Sequence, residues 1–179
     1  MTAIRLHAHA AFERLLLLDM ALCLLCHHGV RRPLRRGFAV VSRLGDGWWW
    51  LAVGAIVLGL EGPAAWPTLG RMAAVPLLGL PAYKLLKRRT ARPRPCAAGH
   101  GVEAVVPALD LYSFPSGHTL HAVGFTVVLA ASLPELLWLA APFTALVALS
   151  RVVLVLHYPT DVVAGAGLGG GLGVLVSSL

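Results

Sequence analysis

The stretch Ser150-Arg151-Val152-Val153-Leu154-Val155-Leu156-His157-Tyr158-Pro159-Thr160-Asp161 divides two long apolar runs, at about 135–156 and 159–178. Each run is close to the ~20 residues a helix needs to cross the hydrocarbon core of a bilayer. Pro159 fits the first turn of the second helix, where its missing N–H is no loss. His157 then falls just outside that helix and Asp161 in its first turn. A carboxylate so placed can accept the ring N–H of His157, fix its tautomer and leave the other ring nitrogen free to attack.

Two further apolar runs, at about 66–87 and 117–133, have membrane-helix length, and a shorter one lies at about 46–62. The short run opens on Trp48, Trp49 and Trp50, an aromatic cluster suited to the headgroup level, and stops at Glu61-Gly62-Pro63. Residues 11–28 are apolar enough to span the bilayer or lie flat on it. Residues 33–44 set Leu34, Phe38, Val41 and Leu44 on one helical face against Arg35, Arg36 and Arg43, the pattern of an interfacial amphipathic helix; a solvated basic face on an ordinary helix would give the same pattern. The expected fold class is all-α: a polytopic membrane helix bundle of five to six membrane helices with an N-terminal interfacial amphipathic helix. It divides into residues 1–45, N-terminal helices at least partly interfacial, and 46–179, a membrane-embedded core. No internal repeat or low-complexity tail stands out.

Composition supports the membrane reading. With 58% hydrophobic and 13% charged residues among 179, the chain has too few charged side chains to cover a soluble domain. The net charge of +7 could suggest nucleic acid, but a nucleic-acid module carries its basic stripe on a soluble fold, so no nucleic-acid partner is expected and an anionic lipid fits better. Cys23, Cys26 and Cys96 are odd in number and imply no disulfide framework. Cys23-Leu24-Leu25-Cys26-His27 matches the haem c attachment pattern, yet it sits in an apolar run with no second axial ligand signposted, and packed helix cysteines are the ordinary explanation. Asp19 interrupts the same run and no small-residue cleavage site follows, so it reads as retained rather than as a signal peptide.

The connection 88–115 is long, contains Pro93, Pro95 and Pro107, and lacks helical periodicity; long structureless loops are usually functional. Antiparallel neighbouring helices put it on the same membrane face as Arg151 and His157. At its start, Lys87 is followed at seven residues by Arg94 and Pro95, an arginine fork and a lysine point charge that could hold phosphate, although a basic helix end alone is more often a snorkelling anchor. At its end, Phe114-Pro115-Ser116-Gly117-His118 precedes an apolar run. Ser116 is a suitable N-cap, Gly117 allows close backbone approach, and a helix start favours an anion.

Together the blocks read Lys-x6-Arg-Pro, Pro-Ser-Gly-His and Ser-Arg-x5-His-x3-Asp. This arrangement resembles the type 2 phosphatidic acid phosphatase family, a group that also takes in vanadium haloperoxidases and glucose-6-phosphatase, with every signature position filled from Lys87 to Asp161. The resemblance implies that His157 attacks phosphorus to give a phosphohistidine, His118 protonates the leaving oxygen and Asp161 orients His157. It implies that Lys87, Arg94, Ser116, Gly117 and Arg151 bind the phosphate, with no metal and no cofactor. Lipid phosphate or pyrophosphate is the implied substrate, undecaprenyl pyrophosphate first, with phosphatidylglycerophosphate and phosphatidic acid as alternatives; a non-catalytic lipid-phosphate binder is the competing class. His121, Tyr83, Lys84, Arg88, Arg89, Arg92, Asp110, His100 and Glu103 carry no spacing that separates a site role from packing or anchoring.

The implied location is a bacterial inner membrane with the site facing the periplasm. The basic residues argue the other way. Of 15 Lys and Arg, all but Arg5, Arg14 and Arg71 fall on the motif-bearing face, which the positive-inside rule assigns to the cytoplasm.

Overall fold

A computed structural model describes residues 2–99 and 101–179, with side chains from residue 13 onward. Among the described residues seven α-helices follow in order: α1 Thr2–Gly29, α2 Arg32–Leu44, α3 Trp48–Glu61, α4 Trp66–Thr90, α5 Gly117–Ser132, α6 Leu137–Val153 and α7 Pro159–Ser177. Short 3-10 turns precede α4 and α6 and interrupt the α4–α5 loop. Among the described residues three helical segments are long and apolar enough to cross a membrane by length and composition: Trp48–Thr90, Pro134–Val153 and Pro159–Ser177.

The core is where α5 is clasped by α4, α6 and α7. Val75 of α4, Ala122, Val128 and Leu129 of α5, Phe143 and Val147 of α6, and Val176 of α7 form one buried cluster. Along α7 the small residues Gly165, Gly169 and Gly173 recur every four positions, so they share one face. That face meets the α5 backbone so closely that a Cβ at Gly169 would stand 2.1 Å from the Leu120 carbonyl oxygen. Small residues that let backbones approach are the usual device for packing helices in lipid, where burial of apolar surface gives no driving force.

Two expectations change. Of the three tryptophans only Trp48 is freely exposed; Trp49 stacks on Phe143 with ring centroids 4.2 Å apart, and Trp50 is buried beside Phe125. The run expected to continue to 156 ends its helix at Val153, and Leu154, Val155 and Leu156 form a fully buried turn. Val155 has φ 53°, a left-handed conformation unusual for a β-branched residue and held here by its buried surroundings. The turn aims the next residue, His157, back into the bundle.

The N-terminal helices contribute contacts to this end of the molecule. On α1, Asp19, Cys23 and His27 share one face. Asp19 accepts hydrogen bonds from Thr160 N–H at 3.0 Å and from the Thr160 hydroxyl, and the His27 Nδ1 pairs with the Val153 carbonyl at 2.8 Å. The Cys-x2-Cys-His pattern thus lies in packing, with Cys23 fully buried against Val152 and Val155 and all three cysteines free. On α2, buried Ser42 accepts a hydrogen bond from Arg151 of α6.

Candidate active site

The ends of α4, α5, α6 and α7 meet at one end of the bundle, around a cavity of about 230 Å³. Lys87 from the last turn of α4, Arg94 from the following loop, Gly117 and His118 from the first turn of α5, Arg151 from the last turn of α6 and His157 from the buried turn all line it. Residues from three separate blocks of sequence are therefore brought together, with both imidazoles on one cavity. Ser116 is not on the wall. It occupies the N-cap position of α5 but is fully buried, and its hydroxyl pairs with the Thr119 hydroxyl at 3.0 Å instead of capping the helix.

The cations differ in how they are held. Lys87 donates to both carboxylate oxygens of Asp110, at 2.8 and 2.7 Å, and Arg94 donates to the same carboxylate at 2.7 Å. Burial opposes ionisation of Asp110, but the hydrogen bond and charge of Lys87, with those of Arg94, outweigh it and keep the carboxyl below its ordinary range. Arg94 also reaches the Leu156 carbonyl at 2.6 Å and His157 Nε2 at 3.2 Å, which ties it to the turn. Arg151 is 3% exposed, and among the described residues no carboxylate pairs with it; its Nε has no hydrogen-bond partner. A buried guanidinium without an anion is costly, and the cavity it faces is the place where an anion would remove that cost.

His157 is 1% exposed. Burial, followed by the nearby charges of Arg151, Arg94 and Lys87, holds its imidazole well below the ordinary histidine range, which favours the neutral ring at pH 7. Its Nδ1 stands 3.6 Å from Asp161 Oδ2, too far for a hydrogen bond, and has no partner. The expected orienting bond is therefore not made. Asp161 instead accepts from the Tyr158 N–H at 2.9 Å and from Arg92 at 2.8 Å, and Arg92 is also paired with Asp19 at 2.6 Å while its guanidinium lies over the Tyr158 ring. This bracing of the His157 turn by Arg92 and by α1 had no sequence signal beyond one arginine in a basic loop.

Besides Asp110, three further polar wall residues lay outside the motifs. Tyr83 stands one turn before Lys87, and a Cβ on Gly117 would meet its ring at 3.3 Å. His121 lies one turn beyond His118 with its ring edge-on to Tyr83. Asp46, from the α2–α3 loop, meets His118 Nε2 at 2.5 Å. Of the other open positions, His100 lies outside the described residues, and Glu103, Lys84, Arg88 and Arg89 do not line the cavity. Beside the polar cavity runs a larger groove of about 690 Å³ between α3 and α4, walled by Leu51, Leu58, Leu69, Met72 and Phe125; Gly45, Asp46 and His121 belong to both.

These features define an all-helical protein of membrane-spanning composition with a cation-lined cavity at one end of its bundle. The sequence profile of the PAP2 superfamily matches residues 64–179, and the chain belongs to that superfamily. It is 35% identical over 97 residues to the decaprenylphosphoryl-5-phosphoribose phosphatase of Mycobacterium tuberculosis, a match that takes in 53% of this chain and 51% of the relative, so the chain spans about half the length of that protein. The Mycolicibacterium smegmatis phosphatase of the same name is 33% identical over 134 residues, 72% of this chain and 69% of the relative. An undecaprenyl-diphosphatase of Sulfolobus acidocaldarius is 42% identical over 59 residues, 32% and 29% of the two chains. Among solved structures, the transmembrane PAP2 type phosphatidylglycerolphosphate phosphatase of Bacillus subtilis superposes with a TM-score of 0.72 at 25% identity, over 92% of this chain and 85% of its own. Aquifex aeolicus LpxE gives 0.74 at 21% identity, over 90% and 96%, a likeness of fold.

Proposed function

We propose that the chain is a metal-independent membrane lipid phosphatase, acting on a polyprenyl-linked phosphate or pyrophosphate, with undecaprenyl pyrophosphate as the first candidate. The observation that carries this reading is the buried, anion-less Arg151 facing a cavity shared with a neutral His157 and a second imidazole. A phosphate would supply the missing anion. The apolar groove that meets the cavity at Gly45, Asp46 and His121 offers a place for a lipid tail, which favours a lipid over a soluble phosphoester. The polyprenyl preference draws on the three polyprenyl phosphatases above; the likeness to the B. subtilis enzyme supports phosphatidylglycerophosphate as the second reading.

In this mechanism His157 Nε2, which faces Arg94, forms the bond to phosphorus as the bond to the leaving oxygen breaks, and His118 gives that oxygen a proton. Water then attacks the phosphohistidine, returning its proton through His118 and restoring His157. Lys87, Arg94, Arg151 and the Gly117 N–H hold the equatorial oxygens, whose charge rearranges in the transition state. Asp161, braced by Arg92 and Tyr158, closes the 3.6 Å gap to Nδ1 when the imidazole becomes substituted and cationic.

In the membrane, α3 to α7 cross the bilayer. So does α1, whose 28 residues extend about 42 Å against the ~30 Å core. The basic α2 lies in the interface, and the site faces the periplasm of a bacterial inner membrane.

Purified protein is expected to release phosphate from undecaprenyl pyrophosphate in excess chelator, with inhibition by vanadate, which adopts the five-coordinate geometry of attacked phosphorus. His157→Ala abolishes release. Activity that needs added magnesium, or lipid binding without turnover, overturns the reading in favour of a metal enzyme or a non-catalytic binder.

A further inference from the structure

The general-acid histidine has a partner that none of the three motif blocks contains. Asp46 lies in the loop between α2 and α3, outside residues 64–179, and its Oδ1 is 2.5 Å from His118 Nε2. The loop is held in place from two sides. Ser42 is buried and bonded to Arg151, and Gly45 packs so close to α6 that a Cβ there would stand 3.1 Å from a Val147 methyl. Asp46 is thus fixed on the cavity wall rather than swinging on a free loop.

We propose that Asp46 is a positioning residue of the phosphatase site, orienting the His118 ring through Nε2 and favouring its protonated form, so that the other ring N–H, on Nδ1, is directed to the leaving oxygen. The inference rests on the phosphatase reading above.

The electrostatic reason is the company His118 keeps. Lys87 from α4, Arg151 from α6 and Arg94 from the loop line the same cavity as His118, and like charges at close range disfavour a further cation there. The Asp110 carboxylate is spent on Lys87 and Arg94, and Tyr83 and His121, the other groups packed nearby, supply no negative charge at neutral pH. Asp46 is the carboxylate in hydrogen-bond contact with the ring. It is itself ionised: the hydrogen bond to His118, against a smaller cost of burial, keeps its carboxyl below the ordinary range, and Arg43 at 3.7 Å adds to this. During phosphoryl transfer the Nδ1 proton passes to the leaving oxygen as its bond to phosphorus breaks. His118 is left neutral, still donating Nε2–H to Asp46.

A group that serves only the acid matters in proportion to how badly the leaving oxygen needs a proton. The test compares full-length wild type, Asp46→Asn and Asp46→Glu on phosphatidic acid, whose leaving group is an alkoxide, and on p-nitrophenyl phosphate, whose leaving group departs unaided. Asp46→Asn is expected to lose at least about tenfold in kcat on the lipid and less than about threefold on the aryl ester, a fraction of what a general acid supplies. The alkaline limb of its pH profile on the lipid moves to lower pH, and Asp46→Glu recovers part of the loss. The ratio of the two rates in one preparation does not depend on how much of the variant has folded. An active wild type with Asp46→Asn unchanged, or impaired equally on both substrates, overturns this inference alone. Where only undecaprenyl pyrophosphate is turned over, the alkaline limb on that substrate decides, and an unshifted limb in Asp46→Asn overturns the inference; wild-type protein inert towards all three phosphates overturns the phosphatase reading, and this inference with it.

Discussion

Asp110 binds two of the three cations proposed to hold phosphate. Its carboxylate receives Lys87 on both oxygens and Arg94 on one, the fork-and-point-charge pattern suited to a phosphate edge. A phosphate bound as proposed would have to compete with it. Asp110→Asn removes the competing charge, and inorganic phosphate or vanadate is expected to inhibit at a roughly tenfold lower concentration, about 1.4 kcal/mol of binding. Titrating either inhibitor against both proteins checks this; weaker inhibition in the variant would mean that the carboxylate organises the cations instead of blocking them. The sign with pH follows from the depressed folded value: the carboxylate's contribution is complete above the unfolded carboxyl range of about 3.9 and is lost only as pH falls through the lower folded value. The competition thus persists across the neutral range. Neither Asp110 nor Asp46 could be singled out from the sequence, because they stand 23 residues from Lys87 and 72 from His118 with no local repeat to flag them. The motif residues were legible because each sits at, or within a few residues of, a helix end beside an apolar run. Spacing also put Asp161 near His157, but proximity on one turn does not fix a hydrogen bond, and Asp161 is committed to Tyr158 and Arg92.

Helix α7 and its glycine face set the distance between the two halves of the site. Asp161 is on its first turn and His118 on the first turn of α5, and the two helices touch along Gly165, Gly169 and Gly173. At Gly165 a Cβ would come within 2.5 Å of the Ser116 carbonyl oxygen, directly before the Gly117-His118 step. Gly169→Ala is accordingly expected to push the pair apart, costing about 1–3 kcal/mol as an overpacked contact and lowering activity with it. Gly167→Ala, whose added methyl meets nothing within 4 Å, is expected to leave both unchanged or to stabilise slightly. Thermal unfolding of the two variants in the same detergent separates these outcomes; equal melting points would remove the glycine seam as the spacing device. Most helices were legible from apolar run length, with α4, α5 and α7 ending within three residues of expectation. The exception is informative: 154–156 is as apolar as the helix before it, and hydropathy does not distinguish a buried turn from one more helical turn when both exclude water.

At the scale of the whole molecule, the unresolved tension is between charge and sidedness. The structure sorts the basic residues that the sequence could only count. Lys87, Arg94 and Arg151 line the cavity, Arg92 braces Asp161 and Asp19, and Arg35 is bonded to His27 and the Val30 carbonyl. These are committed to the fold or the site and would be present on either side of a membrane. Arg31, Arg32, Arg36 and Arg43 remain exposed on or beside α2, and Lys84, Arg88 and Arg89 around the end of α4. The positive-inside tendency of this remainder is weaker than the raw count suggests, though of the same sign. Cys96 decides the matter, since it lies in the 3-10 turn of the α4–α5 loop, partly exposed, with its N–H bonded to the Val155 carbonyl at 3.2 Å. In intact bacterial cells an impermeant thiol reagent is expected to label the wild type and not Cys96→Ser, because the proposed active face is periplasmic. Labelling that appears only after lysis would turn the bundle over and place substrate hydrolysis on the cytoplasmic leaflet, in line with the exposed arginines of α2.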